Sequence, residues 1–374
     1  MFINMGKRLR MMVEKKIGIL TFQNTNNYGA VLQTYALQHY LKNVIDNHSV
    51  EVISYYNRAV TLRERPQQFT ELKSLKQVVK YLLNNRSESE KSRAVKRFVD
   101  EYIELSKDAY YESGQPAFEV YDAIIAGSDQ IWNLELTNHD LTYMLSRYNG
   151  KGFSYAASIG REDILTPSMI EAIRRLRMVS VREKSAQVEL VQQGIETEEV
   201  LDPIFLLKKE EWFGMLPVNR IRKRYVLLYQ MTTSKSLYEF AKSLAKKKGL
   251  VLINANPISY QFFKSRCIRG ASPLEWLSLI KDATCVVTNS FHGLAFSINF
   301  EKTFYTEVRD NEAKNSSRIQ SLLATAGLAN RNIAVYDFSE DEIDYIDVKK
   351  RLDKARQHSL DYLERVIKNI KNVY

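Results

Sequence analysis

Cysteine is nearly absent from this sequence: 374 residues contain two, Cys267 and Cys285. Both stand in apolar or mixed surroundings, so no disulfide framework is available and a reducing, cytoplasmic setting is expected. Long hydrophobic runs are missing as well. No stretch approaches the roughly eighteen apolar residues of a membrane span, and the basic start MFINMGKRLRMMVEKKIGILTF has an apolar segment too short for a signal h-region, with no small-residue cleavage site after it. There is no P-loop, GxGxxG, CxxC pair or HExxH, which argues against a P-loop nucleotide hydrolase and the common zinc enzymes; no metal is expected. Neither an internal repeat nor a low-complexity tract stands out. Histidine is scarce, with five in the chain.

What is present describes a folded protein. Hydrophobic residues make up 45% and charged residues 26%, a globular composition rather than a disordered one. The length suits two domains better than one core. The formal net charge of +10 gathers at the ends: Lys7, Arg8, Arg10, Lys15 and Lys16 oppose only Glu14, and after residue 348 eight Lys and Arg oppose Asp353, Asp361 and Glu364. Such ends suit an anionic membrane surface or a phosphate-bearing substrate; a solvated charged face is the plain alternative, and the acidic run SEDEIDYID lies just upstream. With no nucleic-acid motif visible, nucleic acid is not expected as a partner.

Strand-like and helical patterns alternate. KKIGILTF, the helical GAVLQTYALQHYLKN and VEVISYY form a βαβ opening. Residues 72–105 read as helical and highly charged, with SESEKSR as a break between two helices. YDAIIAGSDQIWN and GFSYAASIG each supply a strand, VSVREKSAQVELVQQG reads as strand, turn and helix, and EVLDP as a strand stopped by Pro203. KKEEWFGMLPVNRIRKR, with Gly214 and Pro217, reads as a linker. A second series follows in RYVLLYQM, SLYEFAKSLAKKKG, LVLIN, SPLEWLSLIKDA and ATCVVTN; Ser272, Pro273 and Glu275 make a capping box. An amphipathic helix over 347–374 ends the chain. Two β/α series predict two doubly wound domains, 1–207 and 208–346, with ligands at the carboxyl ends of the strands in the cleft between them.

Several side chains fall at those strand ends. His292, in VTNSFHG, sits at a strand-to-helix turn where free N–H groups and the helix dipole favour an anion, and Gly293 lets the backbone approach it. A hydrogen bond to a neighbouring carbonyl is the structural alternative for His292. NTNNYGA offers Asn26, Asn27 and Tyr28 for sugar hydroxyls, or simply a turn. GSDQIWN offers Asp129, Gln130 and Trp132, a mixture that suits a sugar, or only a cap. Arg182, at the end of VSV, is placed to clamp a carboxylate or phosphate, unless it pairs with Glu183 beside it. Arg318 opens a later helix.

Together, NNYGAVLQTYAL, GSDQIWN, VSVRE, LDP and VTNSFHG, spread over residues 16–330, resemble the polysaccharide pyruvyl transferase family. That resemblance implies a GT-B-like fold, two facing Rossmann-type domains with the C-terminal helix crossing back to the first. It implies transfer of pyruvate from phosphoenolpyruvate to two hydroxyls of a sugar, in a cell-surface polysaccharide or its lipid-linked precursor, giving a ketal and free phosphate. Phosphoenolpyruvate is then a co-substrate and no cofactor is needed. His292 resembles the family's catalytic histidine and Arg182 its donor-binding arginine, with the acceptor on the first domain and the donor on the second. Ser290 stands where several members carry arginine, so Arg318 or Lys314 is left to supply that charge beside Phe291 and Gly293. The alternatives are a nucleotide-sugar glycosyltransferase on the same architecture and a non-catalytic glycan or membrane-surface module, which Ser290 favours. A peripheral place on the inner face of the plasma membrane fits the basic ends.

Overall fold

A computed structural model describes residues 15–372 except 47, 65–74, 115, 117, 162–163, 256–265, 309–312 and 336–341, and except the side chains of 75–84 and 313–315. Lys7, Arg8, Arg10 and the first residues of SEDEIDYID therefore lie outside the described residues.

The first domain runs β1 (Lys15–Leu20), α1 (Tyr28–Val44), β2 (His48–Tyr56), α2 (Arg58–Glu64), α3 (Leu75–Tyr102), β3 (Leu105–Tyr111), β4 (Ala123–Ala126), α4 (Leu134–Thr137), β5 (Lys151–Ser154), α5 (Pro167–Arg174), β6 (Val179–Val181), α6 (Lys184–Gln192) and β7 (Thr197–Glu199). The rest comprises α7 (Lys209–Met215), β8 (Tyr225–Tyr229), α8 (Lys235–Lys247), β9 (Val251–Asn254), β10 (Arg266–Cys267), α9 (Pro273–Asp282), β11 (Cys285–Thr288), α10 (Phe291–Asn299), β12 (Phe304–Thr306), α11 (Ala313–Ala326) and α12 (Tyr345–Lys371).

Two five-stranded sheets result, ordered β3-β2-β1-β4-β5 and β10-β9-β8-β11-β12, and every pairing within them is parallel. Bridges at Phe153–Met178 and Ala157–Val181 add β6 and β7 to the first sheet. In each sheet the winding reverses where the first strand meets the fourth, β1 against β4 and β8 against β11. Open parallel sheets bind ligands at that crevice. The central strands β4, β8 and β11 are buried on both faces, as helical layers on each side require.

One apolar seam joins the domains. Tyr28 and Tyr35 of α1 meet Trp276 of α9 and Trp212 of α7, ring centroids 5.4 and 5.7 Å apart, and Trp212 and Trp276 both pack edge-on against Phe296 of α10. Trp212 is fully buried and its Nε1 donates to the carbonyl of Ile204 at 3.2 Å. The expected linker is therefore helical over 209–215 and wedged into the seam, with the irregular connection confined to 216–224. The expected break at SESEKSR is absent too: α3 runs unbroken through it. Serine only weakly disfavours a helix, the segment holds neither glycine nor proline, and Arg86 and Glu90 pair one turn apart at 2.9 Å.

Helix α12 starts on the second domain, where the Tyr345 hydroxyl donates to the Lys302 carbonyl at 2.6 Å, and its later turns lie on the first. Tyr362 donates its hydroxyl to the Ser154 carbonyl at 2.8 Å, Ser359 Oγ accepts from Leu201 N at 2.9 Å, and Lys151 Nζ reaches the last carbonyls of the helix, at Asn369 and Ile370, where a cation satisfies the helix end. Its basic residues are partly committed: Lys349 pairs with Glu301, Arg351 with Asp347 and Arg365 with Glu198. Among the described residues no helix is long and apolar enough to cross a membrane.

Candidate active site

A cleft of about 470 Å³ opens where the two winding reversals face each other, within the volume range of small-molecule sites. It is lined by Asn27 after β1, Asp129 and Gln130 after β4, Met231 and Thr232 after β8, Asn289, Ser290, Phe291 and His292 after β11, and Arg318 of α11.

His292 owes its position to the cap of α10. Ser290 Oγ accepts from Gly293 N at 3.2 Å, and Thr288 Oγ1 accepts from Ser290 N while donating to the Tyr229 carbonyl. Ser290 is thus the helix N-cap, a place for a short hydroxyl side chain rather than a long cation. A Cβ on Gly293 would stand 2.6 Å from Thr288 Oγ1, so only glycine fits that turn. Across the domain boundary the imidazole lies against the backbone of Gly29, where a Cβ would fall 2.0 Å from Nδ1.

Behind the histidine is a buried charge cluster. His292 Nε2 lies 3.6 Å from Oδ2 of Asp202, and the same oxygen receives Arg182 Nη1 at 2.6 Å and Ser128 Oγ at 3.1 Å. Asp202 Oδ1 caps the short 3-10 turn Pro203–Leu206 through Ile204 N. Burial alone would raise the Asp202 pKa. His292 and Arg182 overcome it and hold the carboxyl well below the usual carboxylate range.

The structure corrects the sequence reading at several positions. Arg182 does not line the cleft. Its guanidinium is held by Asp202, lies 3.6 Å from Asp129 and stacks at 4.2 Å on the Phe291 ring, facing a separate cavity of about 150 Å³. Nor does it pair with Glu183, whose Oε1 accepts from Ser158 Oγ and from the N–H groups of Ile159 and Gly160. Trp132 offers no sugar platform: it is wholly buried, its Nε1 donating to the Tyr143 carbonyl at 3.1 Å. Tyr28 is buried in the seam, its hydroxyl on the Ala271 carbonyl at 2.6 Å. Asn26 turns from the cleft to bond Glu64 through its backbone N–H and its amide. Lys314 falls in the first turn of α11, its side chain outside the described set.

Asn27, Asp129, Gln130, Ser290, Phe291, His292 and Arg318 do converge on the cleft. Asp129 holds a left-handed backbone, φ +76°, closed by its own Oδ1 accepting from Gln130 N at 2.8 Å. With its amide oxygen turned to Arg318, Gln130 accepts from Nη1 and Nη2 at 3.1 and 3.3 Å. Burial, and then repulsion from Arg182, pull the Arg318 pKa down to about 10, so it remains a cation at neutral pH, but an under-compensated one. A bound anion would relieve that. Sequence reasoning assigned no role to Asp202, although LDP, an Asp before Pro at a strand end, is a capping signal; Gly29 gave no signal at all, since its constraint comes from the other domain.

A family model of polysaccharide pyruvyl transferases matches residues 27–311, a span holding Asn27, Asp129, Arg182, Asp202 and His292. The chain belongs to that family. Membership makes it a transferase of polysaccharide biosynthesis, and four of the five motif stretches behind the sequence resemblance lie wholly within the match, NNYGAVLQTYAL beginning one residue ahead of it. No curated protein matches. Among solved structures, a putative UDP-N-acetylglucosamine 2-epimerase from Listeria monocytogenes superposes with a TM-score of 0.51 at 9% identity, over 96% of this chain and 98% of that one. The S. aureus MnaA–UDP structure gives 0.50 at 11% identity, over 96% and 99%. At such identities the likeness is one of fold: this family member has a GT-B-like architecture, two facing Rossmann-type domains.

Proposed function

We propose that this chain moves the pyruvyl group of phosphoenolpyruvate onto two hydroxyls of a sugar in a cell-surface polysaccharide or its precursor. The observation that carries the reading is His292 at the mouth of a helix N-terminus, backed by the Asp202 carboxylate and sharing its cleft with the Arg318 cation. An imidazolium backed by a carboxylate is a proton donor, and a neighbouring guanidinium is an anion clamp.

The chemistry follows in balance. His292 in its protonated form gives a proton to the methylene carbon of phosphoenolpyruvate, leaving a cation at the carbon that bears the phosphate. One sugar hydroxyl attacks there and releases its proton. The carbon–oxygen bond to phosphate then breaks, phosphate leaving with the electron pair, and the second hydroxyl closes the ketal and releases the other proton. Asp202 stabilises the imidazolium that starts the sequence. Arg318 and the first turn of α10 hold the phosphate, and Asn27, Asp129 and Gln130 orient the hydroxyls. This assigns the donor clamp to Arg318, with Arg182 as the residue that positions Asp202.

Thermal shift tests the reading: phosphoenolpyruvate raises the melting temperature of the full chain, and a panel of nucleotide sugars does not. A response to a nucleotide sugar alone would overturn it. Arg318→Met is expected to raise the KM for phosphoenolpyruvate by roughly ten- to a hundredfold, the worth of a charged hydrogen bond, with a smaller change in kcat. An unchanged KM removes Arg318 from donor binding.

Gly29 gives a second handle on the same geometry. Its added methyl would fall 2.0 Å from Nδ1 and 2.1 Å from Cγ of His292, so in Gly29→Ala the ring must leave its place beside Asp202. Turnover is expected to drop at least tenfold while stability falls by about 1–3 kcal/mol, the usual cost of overpacking. Parallel assays of phosphate release and urea unfolding read the two effects; full activity in the variant would show that the contact does not position the imidazole.

A further inference from the structure

A larger cavity, of about 940 Å³, lies on the first domain away from His292, lined by Tyr56, Arg58, Leu62, Tyr111, Glu112 and Asn138 among others. Tyr56 and Tyr111 are register partners at the carboxyl ends of β2 and β3, with rings stacked 5.4 Å apart and 21° from parallel. Tyr111 is 55% exposed and Leu62 is 48% exposed, large apolar groups that water alone does not favour. Around them stand a guanidinium, an amide and a carboxylate, the last held in place by Asn57 Nδ2 at 3.3 Å and Arg58 N at 3.4 Å. A flat aromatic face bordered by planar polar groups matches a sugar ring, apolar across its C–H face and hydroxylated around its rim.

The placement links this cavity to the cleft. In the order β3-β2-β1-β4 the platform stands at the ends of β3 and β2, and the cleft at the ends of β1 and β4. Three strand spacings of ~4.8 Å put Tyr111 about 14 Å from Asp129 along the sheet edge. Helix α2 spans the interval: Arg58 and Leu62 face the outer cavity, Thr61 and Glu64 a shallow pocket of about 360 Å³ between, and Arg63 the cleft itself.

We propose that the Tyr56–Tyr111 platform is a distal glycan subsite, which holds a sugar unit of the acceptor chain several residues from the one that reacts at His292. It rests on the reading that the acceptor is a saccharide, and it makes that acceptor an oligosaccharide rather than a single sugar.

The test is a printed array of gluco-, galacto-, manno- and N-acetylhexosamine oligomers, from monosaccharide to tetrasaccharide, probed with the full chain. Wild type and His292→Ala are expected to bind the tetrasaccharide of at least one series roughly tenfold better than its monosaccharide, Tyr111→Ala to lose that gain, and Tyr111→Phe, which keeps the ring, to retain it. The proposal falls if wild type shows no gain with length, if Tyr111→Ala binds as wild type does, or if no saccharide binds. It falls too if sedimentation shows a dimer that Tyr111→Ala dissociates, since the platform would then be a self-interface. The melting shift with phosphoenolpyruvate is expected to be unchanged in Tyr111→Ala. Absence of that shift in wild type would sink the pyruvyl-transfer reading and leave the array result standing.

Discussion

His292→Ala is expected to lower phosphate release from phosphoenolpyruvate by at least the roughly 10²–10⁴-fold that a positioned acid contributes, with the circular dichroism spectrum unchanged. The side chain lines the cleft but is only 7% exposed and lies against Gly29, so its removal takes away the proton donor together with some packing, and the variant is expected to be folded but less stable. Among the described residues, the other ionisable groups along the cleft are carboxylates, Asp129 and Glu307, and guanidiniums, Arg63 and Arg318. Histidine alone among these types changes protonation near neutral pH without a large perturbation. The Asp202 carboxylate stands 3.6 Å from Nε2, on the buried side of the ring. Phosphoenolpyruvate should still raise the melting temperature of the variant, because Arg318 remains. His292→Gln, which keeps hydrogen-bonding capacity but transfers no proton, is expected to be as inactive as alanine. Turnover within a few-fold of wild type in either variant would remove His292 from the reaction.

Much of the fold was legible because its signals are local. The capping box at Ser272 and Glu275 starts α9 as expected, and the polar turn before His292 opens α10. What failed depended on distant partners. Trp212 stands in a stretch with glycine, proline and basic residues, and only contacts with Tyr35 and Phe296, from segments far away in sequence, turn that stretch into a buried helix. Trp132 beside Asp129 looked like a sugar platform, yet the turn after β4 directs the ring into the core and the carboxylate to the cleft. The adjacency of Arg182 and Glu183 hid their true partners: consecutive residues leaving a strand point to opposite faces, one to Asp202 and the other to the N–H groups after β5. Arg318 could be named from its helix, but its place beside His292 follows from where α11 packs.

Arg182→Met is expected to destabilise the folded chain by about 3–5 kcal/mol, the cost of leaving a buried charge unpaired. In wild type the Asp202 carboxylate is fully buried, and Arg182 makes its shortest contact, at 2.6 Å, with His292 and Ser128 as the other charged and polar neighbours. Removing Arg182 leaves that carboxylate desolvated with weaker compensation. The double variant Arg182→Met with Asp202→Asn should lose less than the two single losses added, because the second change removes the charge that the first exposed. Linkage gives an independent sign. The Asp202 pKa is depressed in the folded state, so below the unfolded value near 3.9 the unfolded chain binds more protons, and stability falls as the pH drops from about 4 toward the folded pKa. Above that window the contribution is fully present and flat. Urea midpoints measured between pH 3 and 7 should therefore show an acid-side slope in wild type that is shallower in Asp202→Asn. Kinetics separate this role from direct donor binding: a positioning residue is expected to lower kcat through His292 more than it raises the KM for phosphoenolpyruvate. A KM effect in Arg182→Met with stability and acid slope untouched would return the guanidinium to the donor site.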